Sequence, residues 1–236
     1  MLDFSPTDSG SGKELLKSAS TAITSVNGVY RSMWTAGWST TANTHQCFGI
    51  AAYNLALDAM ADDLVMQGQG NGWFWGDHCY NVKSNYTSSA FRSYDVWYAN
   101  YKWIANVNYV IDAAPAMAGS EADVAYVVGQ AYAIRALCYS ELLKNYCKAY
   151  DPATAQSELG VVIRTKYSTP EPIRRASLYD SYKFVLDDLA EAEKRLDKEE
   201  DAYSNEYITS AAAQALHARV ASTCRTGIPP SNTRAS

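Results

Sequence analysis

Leu178, Tyr182, Val185, Leu189, Ala192 and Leu196 recur three and four residues apart, and this spacing constrains the chain more than any other feature. It draws one apolar stripe along a helix, and such a stripe must be covered to be stable in water. The same period returns along the chain. Leu16, Ala19, Ile23, Val26 and Tyr30 predict a helix over 14–33, and Phe48, Ala52, Leu55, Ala59 and Leu64 predict another over 46–66. Trp97, Tyr101, Ile104, Asn108 and Ile111 give a third at about 90–113, with Pro115 just past its end. A fourth should start at Ser120, a good N-cap, and run to about 148 with Tyr132, Ala136, Tyr139, Leu143 and Tyr146 on one side. The fifth is 178–196 and the sixth, rich in alanine, about 207–224. Between the fourth and fifth, Pro152, Gly160, Pro170 and Pro172 predict a long connection over 149–175, with an extended piece at GVVIRT.

No β-hairpin signal competes, so the predicted class is all-α. Residues 178–224 form a helix–turn–helix unit of the size seen in tetratricopeptide repeats, which points to a helical-pair scaffold with long irregular loops. Ala131, Ala133 and Ala136 are small enough to let a neighbouring helix come close.

The formal charge is −5 and no run of Lys or Arg exceeds two, which argues against a nucleic-acid surface. No apolar run approaches the roughly 20 residues of a membrane span. The opening MLDFSPTDSGSG lacks the basic and apolar regions of a signal peptide. Five cysteines without CxxC spacing do not make a complete disulfide framework. The unusual feature is aromatic: 18 Tyr and 6 Trp against 5 Phe, residues that suit half-wet surfaces, recognition sites or the packing of tyrosine-rich helices.

Three stretches in order, WYANYKWIANVNYVID (97–112), QAYAIRALCYSELLKNYCKAYD (130–151) and RRASLYDSYKFVLDDLAEAEKRL (174–196), resemble the first half of the SusD/RagB family. ITSAAAQALHARVA (208–221) is similar to the family's next helix, and LDFSPTD to its segment just past the lipidated cysteine. The resemblance implies a tetratricopeptide-like scaffold with less regular, ligand-bearing segments. It implies a non-catalytic outer-membrane lipoprotein on the cell surface that captures oligosaccharides, or peptides in some relatives. The partner implied is a SusC-like TonB-dependent transporter, to which the nutrient is delivered. The lipid-bearing Cys of the family has no counterpart here, and the polar tail TCRTGIPPSNTRAS gives the sixth helix no partner. Residues 1–221 are therefore expected to be the N-terminal part of such a helical domain, truncated, with 222–236 an atypical polar tail. An intracellular helical-repeat adaptor for protein partners is the alternative, and an all-α glycoside-processing enzyme a third reading.

NGWFWGDHCYN (71–81) lies where the resemblance implies a glycan-contact loop, between the second and third helices. Its glycines disfavour helix, and sugar C–H faces stack on indole and phenol rings. Trp73, Trp75 and Tyr80 are expected to bind ligand, with Asp77 and Asn81, and His78 beside them, meeting sugar hydroxyls. The competing expectation is that Trp73 and Trp75, on one side of an extended segment with Phe74 opposite, plug a gap between helices. Asp63, at the end of the second helix, is a further candidate for the contact loop.

Catalysis and metal binding have weaker support. Asp62-Asp63 and Asp187-Asp188 are adjacent on helices, pointing about 100° apart, and are expected as solvated or helix-end charge. His45, Cys47, His78 and Cys79 match no standard zinc spacing, so no metal and no cofactor is expected. Cys138 is expected as a small core residue, and His217 at a packed or exposed helix position. Arg135 and Arg219 are read as structural cations that meet a neighbour's carboxylate or helix carbonyls. Asn108 is expected to bond a neighbouring backbone. Asn85-Tyr86-Thr87 fits the N-glycosylation triplet.

Overall fold

The computed structural model describes residues 12–35, 46–62, 64–80, 91–167, 171–196 and 206–224. The helices are α1 (Gly12–Leu15), α2 (Ala19–Ser32), α3 (Ile50–Met60), α4 (Trp75–His78), α5 (Phe91–Ala113), α6 (Glu121–Tyr146), α7 (Leu178–Arg195) and α8 (Ser210–Cys224). No strand occurs among the described residues; extended backbone makes only isolated bridges, Ser18 with Ala118 and Leu159 with Ser177. The all-α expectation holds. None of the described helices is long and apolar enough to cross a membrane. The chain divides into two compact units, one of Met1–Gly28 with Trp103–Ser236, the other of Val29–Lys102.

The first unit is organised by α6, α7 and α8, with α7 packed on both others. Both long helices start where a serine side chain takes an orphan amide: Ser120 Oγ accepts from the Asp123 N–H at 3.1 Å, and Ser177 Oγ from the Asp180 N–H at 3.0 Å. Close approach depends on small residues. Ala133, Ala192 and Ala213 share one buried cluster with Leu196. A Cβ at Gly129 would come within 3.0–3.2 Å of Arg195 and Leu196, so the absent side chain lets α7 lie against α6. Around these, Ile134, Leu142, Leu143, Leu178 and Leu189 are buried, each contributing roughly 1.5–3 kcal/mol through the apolar area removed from water.

A buried polar network ties this unit together. The Arg135 guanidinium donates to Asp188 through Nε and Nη2, and through Nη1 to Asn108 Oδ1 at 2.8 Å. Asn108 Nδ2 in turn donates to the Arg164 carbonyl at 2.9 Å. The Tyr139 hydroxyl also donates to that carbonyl and accepts the Arg164 N–H. Arg135, Asn108 and Tyr139 thus fix the GVVIRT piece of the long connection, as expected for Asn108 and Arg135. The connection then closes on itself: Gly160 N–H donates to Ala176 O and Ala176 N–H to Val161 O, both at 2.8 Å.

Several sequence expectations need correction. The helix expected over 14–33 is broken at Leu16–Ser18. There the backbone bonds Ala118 instead, with Ala118 N–H donating to Lys17 O and Ala19 N–H to Ala118 O, and Ser18 Oγ accepts the Thr21 N–H. The helix expected over 46–66 is only Ile50–Met60, and its buried face is Ala52, Tyr53, Ala56 and Ala59 rather than one including Leu55 and Leu64. On α5, Ile104 and Asn108 are buried as expected. Trp97, Tyr101 and Ile111 are only half-buried, and the stripe is carried by Val96, Ala99, Trp103, Val107 and Val110. Trp97 and Tyr101 pack on each other, ring centroids 4.8 Å apart, at its half-wet margin. Arg219 is exposed, and no carboxylate pairs with it among the described residues. The tail beyond Cys224 lies outside those residues.

Candidate functional site

The second unit holds most of the aromatic loop. Its helix α3 starts just after Gly49, whose φ is +78° and where a Cβ would sit 1.9 Å from the Met33 carbonyl oxygen, so only glycine fits. From there α3 runs to Met60, leaving its last carbonyls without helical partners. The loop supplies them. The His78 ring donates through Nδ1 to the Ala59 carbonyl at 2.9 Å, and the Tyr80 hydroxyl donates to the Met60 carbonyl. Two of the loop's ring-bearing residues therefore cap α3, and that capping fixes their backbone.

Against expectation, the loop contains a helical turn, Trp75–His78. It is entered through Phe74, which has left-handed backbone (φ 55°, ψ 6°), and left through Tyr80 (φ 50°). Such conformations are costly for aromatic residues and persist only where the surroundings enforce them. The enforcing contacts are visible. Phe74 is buried and meets the Phe48 ring edge-on with centroids 6.3 Å apart, while its N–H donates to Gln46 Oε1 at 3.0 Å. Arg92 lies over the Phe74 ring at 5.2 Å, donates to the Gln46 carbonyl at 3.0 Å and grips Asp77 through Nη2 (3.0 Å) and Nε (3.3 Å).

The predicted site residues are therefore divided. Trp73 and Tyr80 are 42% and 56% exposed, each with an accessible ring. Trp75 is half-buried and tilts against the His78 ring at 5.6 Å, so the extended segment with two indoles on one side is not formed. Asp77, expected to meet a ligand hydroxyl, is only 6% exposed and turned inward to Arg92. Asn81 lies outside the described residues, as do Asp63, His45 and the Asn85-Tyr86-Thr87 triplet. Sequence reasoning missed Arg92 and Gln46. They lie 15 residues after and 31 before Asp77, and no periodicity links a loop carboxylate to either.

The other candidate groups sort by burial. Asp187 is exposed and paired with Lys183 while Asp188 is buried against Arg135, so the two carboxylates diverge as helix geometry requires. Cys138 is a buried core residue, whose thiol burial pushes well above its ordinary range. His217 is half-buried, its Nδ1 2.7 Å from Glu193 Oε1 on the neighbouring helix. No cluster of three potential metal ligands occurs among the described residues.

Comparison with known proteins adds an independent line. No curated protein matches the chain. Solved structures do match. A SusD-like carbohydrate binding protein from Bacteroides vulgatus is 22% identical with a TM-score of 0.72 over 88% of this chain and 42% of its own. A SusD superfamily protein from Bacteroides thetaiotaomicron is 23% identical with a TM-score of 0.67 over 88% and 43%. A laminarin binding SusD-like protein is 17% identical with a TM-score of 0.56 over 89% and 41%. At these identities the likeness is one of fold, and the chain spans less than half the length of each. The profile of a SusD-like family described as "starch-binding associating with outer membrane" matches residues 52–221, which covers α5 to α7 entirely and most of α3 and α8. The chain belongs to this SusD-like family.

Proposed function

We propose that the chain is part of a non-catalytic binding protein that captures oligosaccharides on the exposed rings of Trp73 and Tyr80. One observation carries this reading: two large aromatic residues stay substantially exposed on a loop tied by hydrogen bonds to α3 and by the buried Arg92–Asp77 pair. Exposed rings on a fixed backbone are preorganised, so stacking a sugar costs little ordering. Each stacked ring gains about 1–2 kcal/mol from the apolar area covered. Trp75 and Asn81 extend the platform in this proposal, and Asp77 contributes by holding it.

The family description, starch-binding, and the laminarin-binding relative support a glucan as the ligand class. Delivery to a TonB-dependent transporter, surface exposure at the outer membrane, and lipid anchoring complete the proposal. Affinity electrophoresis of the chain in gels containing soluble starch or laminarin tests the binding step. Retardation in at least one, with no sugar released, is the expected result. Free migration in both gels, with no heat on titration of either glucan, would remove the glucan reading.

A further inference from the structure

We propose that Arg92 is the positioning residue that gives the aromatic loop its ligand-ready shape, an inference that rests on reading this loop as an oligosaccharide platform. Trp73 and Trp75 flank Phe74, whose left-handed backbone sets where both indoles point. An L-residue with a bulky side chain does not hold that conformation by itself.

Arg92 closes a circuit around it. Its Nη2 and Nε hold the two oxygens of Asp77, the third residue of the helical turn that Phe74 opens. Its Nη1 holds the Gln46 carbonyl, and the Gln46 side chain holds the Phe74 N–H. Its guanidinium covers the Phe74 ring. Phe74 and Asp77 are thus both referred to one side chain, and only a planar fork meets a carboxylate, a carbonyl and a ring face together. A lysine would keep the buried charge balanced but supply one point of attachment. The pair is buried, so Arg92 need not touch the ligand to set its affinity.

The test is made in the full chain with soluble starch and laminarin as probes, using whichever retards the wild type. Arg92→Lys and Asp77→Asn are each compared with wild type for affinity, helicity and melting temperature, alongside Trp73→Ala as control. The expected result is that Arg92→Lys stays folded yet binds at least about tenfold more weakly, with Asp77→Asn weakened in the same direction. A merely structural role would lower the melting temperature and leave the affinity of the folded fraction unchanged. Gln46 is half-buried, so Gln46→Met, which frees the Phe74 N–H, carries the test should an Arg92 variant fail to fold. Loss of affinity there supports the circuit. Wild-type affinity in Arg92→Lys or Gln46→Met, with Trp73→Ala impaired, overturns the role of Arg92 and leaves the platform standing. Wild-type affinity in Trp73→Ala removes the platform itself, and the Arg92 inference with it.

Discussion

Arg135 and Asp188 meet through two N–H···O bonds of 2.7 Å, with both side chains buried between α6 and α7. Burial pushes the Asp188 carboxyl above its usual range against the pull of Arg135. Burial is likewise the largest single influence on Arg135 and works against its charge, but the hydrogen bond and charge of Asp188, with Tyr132 and Tyr139, together outweigh it and raise its pKa. Such a pair does more to fix geometry than to add stability, and it is costly to break from one side. Tyr132 and Phe184 flank the guanidinium at 5.0 and 5.1 Å, so it is held in one plane.

Asp188→Ala is accordingly expected to destabilise the chain by roughly 3–5 kcal/mol, because it leaves a buried, unpaired guanidinium. Joining Arg135→Met to Asp188→Leu should recover most of that loss. Urea unfolding followed by circular dichroism measures both. A double variant as unstable as the single one would mean that the network to Asn108 and Arg164, not the charge pair, is what stability depends on.

Gly49→Ala is expected to disrupt the second unit, at a cost of at least about 2 kcal/mol, since the added carbon combines a left-handed backbone with a clash on the Met33 carbonyl. Gly28→Ala, where a Cβ meets nothing within 4 Å, should be neutral or stabilising by several tenths of a kcal/mol. Thermal melts of the two variants should move in opposite directions or differ by several degrees. Equal melting temperatures would refute the close approach at Gly49.

Alkaline pH should weaken the fold. Burial raises the Cys224 thiol from 9.0 to about 12. For the Tyr182 phenol, burial first and then the neighbouring Cys224, Cys147 and Tyr150 raise it from 10.0 to about 12. The unfolded chain loses these protons first, so between the two values the folded state binds more protons and stability falls as pH rises. The contribution is intact below about pH 9 and is lost progressively towards about pH 12. Urea midpoints at about pH 7.5, below that window, and at about pH 9.5 and about pH 11, within it, should decline in order. A flat series would show the two groups to be as accessible folded as unfolded. In the same spirit, Cys79 is exposed and should react with a thiol reagent in the native protein, whereas Cys138 and Cys224 should need unfolding.

The sequence made the helices legible because their signals are local. Leu178–Leu196 repeats at three and four, and Ser120 caps where a cap was expected. What periodicity cannot report is which polar partner intervenes. The split of the first helix comes from Ala118, a hundred residues from Ser18. The buried stripe of α5 is displaced because half-wet aromatic rings satisfy the same period as a core face. The loop was legible as aromatic and glycine-rich, yet its helical turn and the inward Asp77 depend on Arg92 and Gln46, contacts no local pattern encodes. The family resemblance fared better than the loop because it rests on the order of helix-packing segments, and the matched region 52–221 contains those segments.

The most direct measurement of the central claim is calorimetric titration of soluble starch and laminarin into wild type, Trp73→Ala, Tyr80→Ala and the double variant, with melting temperatures taken on the same samples. If the exposed rings form the platform, each single change weakens binding of the responsive glucan by about 1–2 kcal/mol and the double change by more. The melting temperature of Trp73→Ala then stays close to wild type, because that residue is substantially exposed, and the Tyr80 variants show only the small loss due to the missing hydroxyl bond to the Met60 carbonyl. Unaltered affinity in the double variant, with a melting temperature lowered as a buried tryptophan would require, contradicts the account and makes the rings part of the packing.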